Sequence, residues 1–232
     1  MFRSVKTIAV YFLIVLALSI IGIYVYTRFK TEYIVYNTTH SEHWESLVAD
    51  FKKNPAEQNS IIFLGDSHIE HFDFGSSVFP GIVNRGITGD FTAGVLLRLD
   101  EIIRSEPGKI FIEVGTNDVI EKVSESEICK NYEQIVSRLA KEAPHAEIYI
   151  QSILPVCVEG SYFTSNENVN NRIISVNGKL KELAAKYHCV YINLYDKLSE
   201  NNSLRKDLNS DAVHLNKKGY SIWMEEISLF LQ

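Results

Sequence analysis

Disulfide staples, metal knuckles and a basic surface are all missing from this sequence. Its 232 residues include three cysteines, at 129, 157 and 189. Three cysteines cannot staple a small secreted scaffold, and none has the CxxC spacing of a structural zinc site. Only 5 prolines and 12 glycines, in a chain 46% hydrophobic and 22% charged, exclude collagen-like and disordered classes. No internal repeat or low-complexity stretch is present. Basic residues are outnumbered 23 to 29, for a net charge of −6. The shortage is uneven: residues 1–30 carry Arg3, Lys6, Arg28 and Lys30 and no acid, which leaves −10 on residues 31–232. So acidic a body is a poor partner for nucleic acid, because affinity for phosphate comes from lysine and arginine.

What the N-terminus does have is a run of 19 uncharged residues, Ile8–Tyr26, reading IAVYFLIVLALSIIGIYVY. About 20 apolar residues cross the hydrocarbon core as a helix. Tyr11, Tyr24 and Tyr26 stand near its ends, where amphipathic rings favour the interface. Residues 1–30 are therefore expected to be a single-pass membrane anchor. One alternative is a cleaved signal peptide, with Ala17-Leu18-Ser19 as a small-x-small site, although apolar residues continue past it. Another is a buried core helix. Arg3, Lys6 and the α-amino group on one side, against Arg28 and Lys30 on the other, give a slight bias toward N-in. That would place the body outside the cytoplasm. Asn37-Thr38-Thr39 and Asn201-Asn202-Ser203 match the glycosylation sequon, a pattern common by chance.

Residues 31–58 read as a connector and a first amphipathic helix, with Trp44, Leu47, Val48 and Phe51 at i, i+3, i+4 and i+7. Five short apolar runs follow: Ile61–Leu64, Ile82–Asn84, Ile110–Val114, Ile148–Leu154 and Val190–Leu194. Such near-continuous runs suit strands buried on both faces of a parallel sheet. Helical patterns alternate with them over roughly 90–106, 125–142, 168–187 and 216–231. Val95, Leu96, Leu99, Ile102 and Ile103 form one apolar stripe in the first of these. Alternation of this kind predicts βαβ units and an open α/β sheet over residues 59–232. In such sheets functional residues lie past the carboxyl ends of the strands. Cys157 and Cys189, near strand ends, read as small buried apolar residues.

Four strand exits carry chemistry. After the first comes Gly65-Asp66-Ser67-His68, where Ser67 opens the next helix as a nucleophile or as a plain N-cap. Asn84-Arg85-Gly86-Ile87-Thr88-Gly89-Asp90 follows the second, and Gly86 lets a backbone N–H approach a ligand. Its bland reading is a loop with Asp90 as a cap. Gly115-Thr116-Asn117-Asp118 follows the third, and the Asn117 amide can donate to an oxyanion, or simply cap a turn. Near the C-terminus Asp211-Ala212-Val213-His214 places a carboxylate three residues before an imidazole, close enough to orient it. Jointly these supply a nucleophile, oxyanion donors, a base and an orienting acid, the parts of a serine acyl hydrolase.

With those blocks in order, the sequence resembles the GDSL/SGNH hydrolase family. The blocks are GDS (65–67), NRGITGD (84–90), GTND (115–118) and DAVHLN (211–216). It looks most like the branch with platelet-activating-factor acetylhydrolase-like and carbohydrate O-acetylesterase members. The resemblance implies a flavodoxin-like three-layer α/β/α fold with a five-stranded parallel sheet. It implies Ser67 as nucleophile, His214 as general base and Asp211 as its partner. The Ser67 and Gly86 N–H groups and the Asn117 side chain would form the oxyanion hole, and no metal or organic cofactor is implied. His68 replaces the family's Ile or Leu, and Glu70 stands where many members have Thr. Both are expected to line the mouth of the site. Glu113, inside a buried strand, needs a partner and is read as structural. Arg85 is left between a carboxylate partner and substrate, and His71 reads as a solvated helix residue. The 155–168 connection, with Tyr162 and Phe163, is long enough to form a substrate lip.

The expected function is hydrolysis of a small acyl ester, foremost O-acetyl on an envelope glycan, by a membrane-anchored enzyme. A lysophospholipase or thioesterase working on lipid acyl chains keeps the same fold. So does an acyltransferase, and a catalytically silent glycan-binding protein stands outside enzymology altogether.

Overall fold

The computed structural model describes residues 2–73, 81–158 and 169–231. Helix α1 (Phe2–Thr39) is followed by α2 (Glu42–Lys53), β1 (Ile61–Gly65), α3 (Ser67–Glu70) and β2 (Ile82–Gly86). Next come α4 (Thr92–Leu97), α5 (Leu99–Arg104), β3 (Lys109–Glu113), α6 (Thr116–Ile120) and α7 (Glu125–Glu142). The chain ends with β4 (Glu147–Gln151), α8 (Val169–Lys186), β5 (Val190–Ile192), α9 (Leu194–Leu198), a hairpin of β6 (Ser199–Glu200) and β7 (Ser203–Leu204), and α10 (Lys217–Ser228).

Five strands form one parallel sheet in the order β2-β1-β3-β4-β5. Successive side chains of a strand point to opposite faces, and the two faces have different cores. Ile62, Leu64, Ile110, Ile112, Ile148 and Ile150 face α4, α5, α7 and α8. Phe63, Phe111, Tyr149 and Ile192 face α9 and α10. The second face carries an aromatic stack across β1, β3 and β4, with Phe63–Phe111 centroids at 4.6 Å and Phe111–Tyr149 at 4.3 Å. The fold is thus the expected three-layer α/β/α arrangement.

Three sequence expectations shift. The 90–106 helix is broken at Arg98 into α4 and α5, with Arg98 at φ −114° and ψ 10°. The cause is a buried guanidinium turned toward the sheet. Its Nε donates to Asp90 Oδ2 at 2.8 Å, and its two terminal nitrogens donate to Arg85 O and Gly65 O at 2.9 Å each. Secondly, the expected connector does not begin at residue 31, because α1 runs unbroken to Thr39. Thirdly, the lip residues Tyr162 and Phe163 lie outside the described residues.

Within α1, Thr7–Thr39 is long and apolar enough to cross a membrane. The buried-core alternative fails, because none of its most apolar window is buried in the protein. Ile8, Leu13 and Tyr26 are 67%, 61% and 70% exposed. Toward its C-terminal end α1 meets the body, with Ile34 and Val35 against the core and Lys30 near Glu121 at 3.9 Å. Helix α2 then packs Trp44, Val48 and Phe51 on Ile87. Its N-cap is Ser41, which accepts from Trp44 N–H at 3.2 Å.

Candidate active site

The carboxyl edge of the sheet gathers the predicted residues. Asp66 caps α3 by accepting from His68 N–H at 3.0 Å, so Ser67 begins the helix in the tight turn leaving β1. Across from it, the loop after Asn209 returns toward α10. His214 Nε2 lies 2.8 Å from Ser67 Oγ, and His214 Nδ1 lies 2.7 Å from Asp211 Oδ2. Asp211 also accepts from Val213 N–H at 3.1 Å and His214 N–H at 2.8 Å. Partial burial pushes this carboxyl up, but the hydrogen bonds from His214 and Val213 outweigh it and hold it down at about 2. An ionised Asp211 only accepts, so Nδ1 carries the ring hydrogen and Nε2 is left as the acceptor facing the serine hydroxyl.

Asn117, at the start of α6, donates through Nδ2 to Asp90 O at 2.9 Å, and its second amide hydrogen remains. Asp90 is itself fixed by Trp44 Nε1, Phe91 N–H and Arg98. Gly86 does not match the expectation made for it. Its N–H donates to Asn84 Oδ1 at 2.8 Å, while Asn84 Nδ2 donates to Ile69 O at 2.6 Å. Gly86 is a packing glycine, since a Cβ there would lie 2.1 Å from Glu70 N. The glycine the sequence reading passed over is Gly89. It has φ +80°, a conformation that favours glycine, and its N–H has no hydrogen-bond partner among the described residues. Its neighbours are both anchored, Thr88 through its N–H to Glu70 and Asp90 as above. The signal was the second glycine of the same block.

Other expectations resolve individually. Arg85 pairs with Glu101 at 3.1 Å, donates to Asn54 O at 2.8 Å and lies over the Phe51 ring, so it holds α2 and α5 and leaves substrate alone. Glu70 is bonded to Thr88 N–H and lies 3.2 Å from His43. Burial raises its carboxyl, and the bonds from Thr88 and His43 bring it below the ordinary value. His71 is exposed but not merely solvated. Its Nε2 is 3.3 Å from Thr88 Oγ1, and its ring centroid is 5.2 Å from that of His214. His68 does not line the mouth: it is fully buried. Glu113 is fully buried too, and among the described residues neither of its carboxylate oxygens has a partner at hydrogen-bond geometry. Cys157 is buried, whereas Cys129 and Cys189 are half-buried.

An apolar crevice of about 410 Å³ opens elsewhere, between α1 (Tyr24, Val35, Tyr36) and the body (Ala93, Leu97, Val123). Ser67, Asn117 and His214 do not line it.

Comparisons with known proteins bear on the fold and the family. A structure described as a platelet activating factor from Streptococcus pneumoniae is 30% identical, with TM-score 0.72, covering 82% of this chain and 94% of that one. A GDSL-like lipase from Bacteroides thetaiotaomicron is 24% identical, with TM-score 0.71, covering 80% and 96%. An acetylxylan esterase from Geobacillus stearothermophilus is 16% identical, with TM-score 0.61, covering 76% and 95%. The last two likenesses are of fold. By sequence, the chain is also similar to the N-acylneuraminate cytidylyltransferase of Streptococcus agalactiae, 25% identical over 173 residues. That match takes in 74% of this chain but spans only 38% of that protein's length. The model of the GDSL-like lipase/acylhydrolase family matches residues 63–222, from inside β1 to inside α10. The chain belongs to that family and is a serine ester hydrolase.

Proposed function

We propose that this chain is a membrane-anchored esterase, its catalytic domain outside the cytoplasm, that removes short acyl groups, foremost acetyl, from envelope glycans. The observation that carries the reading is the unbroken Asp211–His214–Ser67 chain, 2.7 Å and 2.8 Å long at its two links. His214 Nε2 takes the hydroxyl proton as Ser67 Oγ attacks the ester carbonyl. The imidazolium, held by Asp211, then gives that proton to the departing alcohol. Water repeats the attack on the acyl-serine and restores the enzyme.

The developing oxyanion is assigned to the Ser67 N–H, the Gly89 N–H and the free Asn117 amide hydrogen. Gly89 replaces Gly86 in this set because the Gly86 N–H is committed to Asn84. Each such donor is worth about 2.7–4 kcal/mol in subtilisin's hole. Acetyl on sugar is favoured by two comparisons, the acetylxylan esterase fold and a relative named for an N-acylated sugar acid. A lipid acyl substrate would call for an apolar groove at the nucleophile; among the described residues, the crevice at α1 does not include Ser67.

The test is hydrolysis of p-nitrophenyl acetate, butyrate and octanoate by the full chain in detergent micelles, beside Ser67→Ala and His214→Ala. Acetate should be turned over fastest, and both variants should lose that turnover by several orders of magnitude. Preference for octanoate would replace the glycan reading with the lipid one. Equal rates in wild type and Ser67→Ala would remove the serine mechanism.

A further inference from the structure

Asp66, His68 and Glu113 have no step in the mechanism above, yet they are sealed beside it. All three are fully buried, and one polar atom of each lies within 4.8 Å of the others. They come from separate parts of the fold. Asp66 is in the β1–α3 turn, His68 in α3, and Glu113 at the end of β3, in register with Gly65. His68 Nδ1 is 3.4 Å from Asp66 Oδ1 and 3.8 Å from Glu113 Oε2. Among the described residues, Asp66 Oδ2, His68 Nδ1 and both Glu113 oxygens have no partner at hydrogen-bond geometry. Buried polar atoms rarely stay so, and the geometry asks what they share.

The other ring nitrogen answers. His68 Nε2 is 3.1 Å from the Val213 carbonyl oxygen, which can only accept, so Nε2 carries a hydrogen. Were that the only ring hydrogen, the Nδ1 lone pair would face the two carboxylates with no hydrogen between them, at a site closed to water. Burial makes that arrangement expensive. A hydrogen on Nδ1 turns the same atom into the missing donor.

We propose that His68 is held as an imidazolium between Asp66 and Glu113, and that its Nε2–H bond to Val213 makes it the positioning residue that fixes the His214 loop against the Ser67 helix. Val213 immediately precedes His214, so the ring sets where the base stands. A second link runs the same way, because the His68 carbonyl accepts from Tyr220 Oη at 3.0 Å, and Tyr220 is on α10, just after that loop. Around the ring stand Asp66 and Glu113, the His214 ring at 5.5 Å, the Trp223 ring at 6.5 Å and Tyr220. Burial pushes His68 down, but Asp66 and Glu113 outweigh it and raise the imidazole to about 9. Burial and the charge of Asp66 push Glu113 up to about 8. The two carboxyl groups beside the ring keep the His68 charge from standing alone next to His214.

The effect on rate rests on the esterase reading, whereas the protonation state of the ring does not. The experiment uses the full chain in detergent micelles with ¹⁵N-labelled histidine. His68 should carry hydrogens on both ring nitrogens at pH 7 and lose one only in the alkaline range, and Glu113→Gln should lower that titration. His68→Gln should reduce kcat on p-nitrophenyl acetate at least tenfold with KM within twofold, and should shift the ring resonances of His214. A bare Nδ1 at pH 7 would overturn the proposal. So would a metal ion retained stoichiometrically in place of the proton, or a His68→Gln variant with unchanged kcat and unchanged His214 resonances. If wild type hydrolyses no ester, the two sets of ring resonances still decide this proposal, and the esterase reading alone falls.

Discussion

Two aspartate–histidine pairs stand side by side in this molecule, and they do opposite things. Asp211 and His214 sit on a loop, with side chains 55% and 26% exposed, joined by a 2.7 Å hydrogen bond. Asp66 and His68 are sealed, at 3.4 Å, with Glu113 as a third member. The two imidazole rings are 5.5 Å apart. In the open pair water and substrate can reach the ring, and the carboxylate fixes which nitrogen carries hydrogen. In the sealed pair nothing outside reaches the ring, so its hydrogens are held rather than traded. On the readings proposed above, identical side chains would serve as a proton shuttle or a fastener according to their burial and their neighbours.

The contrast can be broken from either side. Replacing the open histidine should have the largest effect: His214→Ala should cut kcat by about 10⁶, as for triad members in subtilisin. Its thermal midpoint should stay within about 2 °C of wild type, because an outer loop side chain is lost. Calorimetry beside an ester assay checks both halves.

The next largest effect should come from the sealed side, in Arg98→Met. It leaves Asp90 buried without its cation and takes one donor each from Arg85 O and Gly65 O. Losing one partner of a buried pair costs about 3–5 kcal/mol. Denaturant unfolding should show that loss, and ester turnover should drop with it because Asp90 O holds Asn117.

A third experiment separates the pairs by pH. His68 and Glu113 are both raised above their unfolded values, so the folded state holds their protons more tightly. The stability this gives is full below the unfolded values and disappears as pH rises through about 8 and 9. Asp211 is depressed to about 2, so its contribution is present above its unfolded value and is lost only in strong acid. The thermal midpoint should therefore fall on the order of 5 °C between pH 6 and pH 9. Glu113→Gln should flatten that fall, and Asp211→Asn should leave it intact.

The smallest effect is expected from Asn216→Ala. Asn216 caps α10 through Lys218 N–H and Gly219 N–H, two residues beyond His214. Loss of a cap costs about 1 kcal/mol, measurable by urea titration, with kcat changed severalfold at most.

The sequence showed most clearly what local periodicity encodes. The five strands and the 125–142 helix stand where their apolar patterns put them, because each pattern is satisfied by its own neighbours. Ser67, Asn117, Asp211 and His214 were legible because strand exits and a three-residue spacing are local features too. What stayed hidden depended on contacts far apart in the chain. Gly86 and Gly89 look alike as letters, and only the Asn84 bond and the +80° turn tell them apart. Arg98 reads as a helix residue until its three distant acceptors, Gly65, Arg85 and Asp90, draw it inward and break the helix. His68 falls in the motif after the nucleophile, which suggested the mouth of the site. The single turn of α3 instead sends its side chain down between Asp66 and Glu113.

Helix α1 has a consequence for how this enzyme meets its substrate. From Tyr26, where the apolar run ends, to Thr38 is twelve residues of unbroken helix, about 18 Å at 1.5 Å per residue. Thr38 abuts the Gly89 turn, its Cγ2 3.9 Å from where a Cβ on that glycine would lie. With Ile8–Tyr26 in a bilayer, a stiff spacer rather than a loose tether sets the height of the reactive serine. The working volume then becomes a thin layer above the lipid. Turnover in that layer depends on how many acyl groups each unit of surface displays, and diluting the surrounding medium should leave it unchanged.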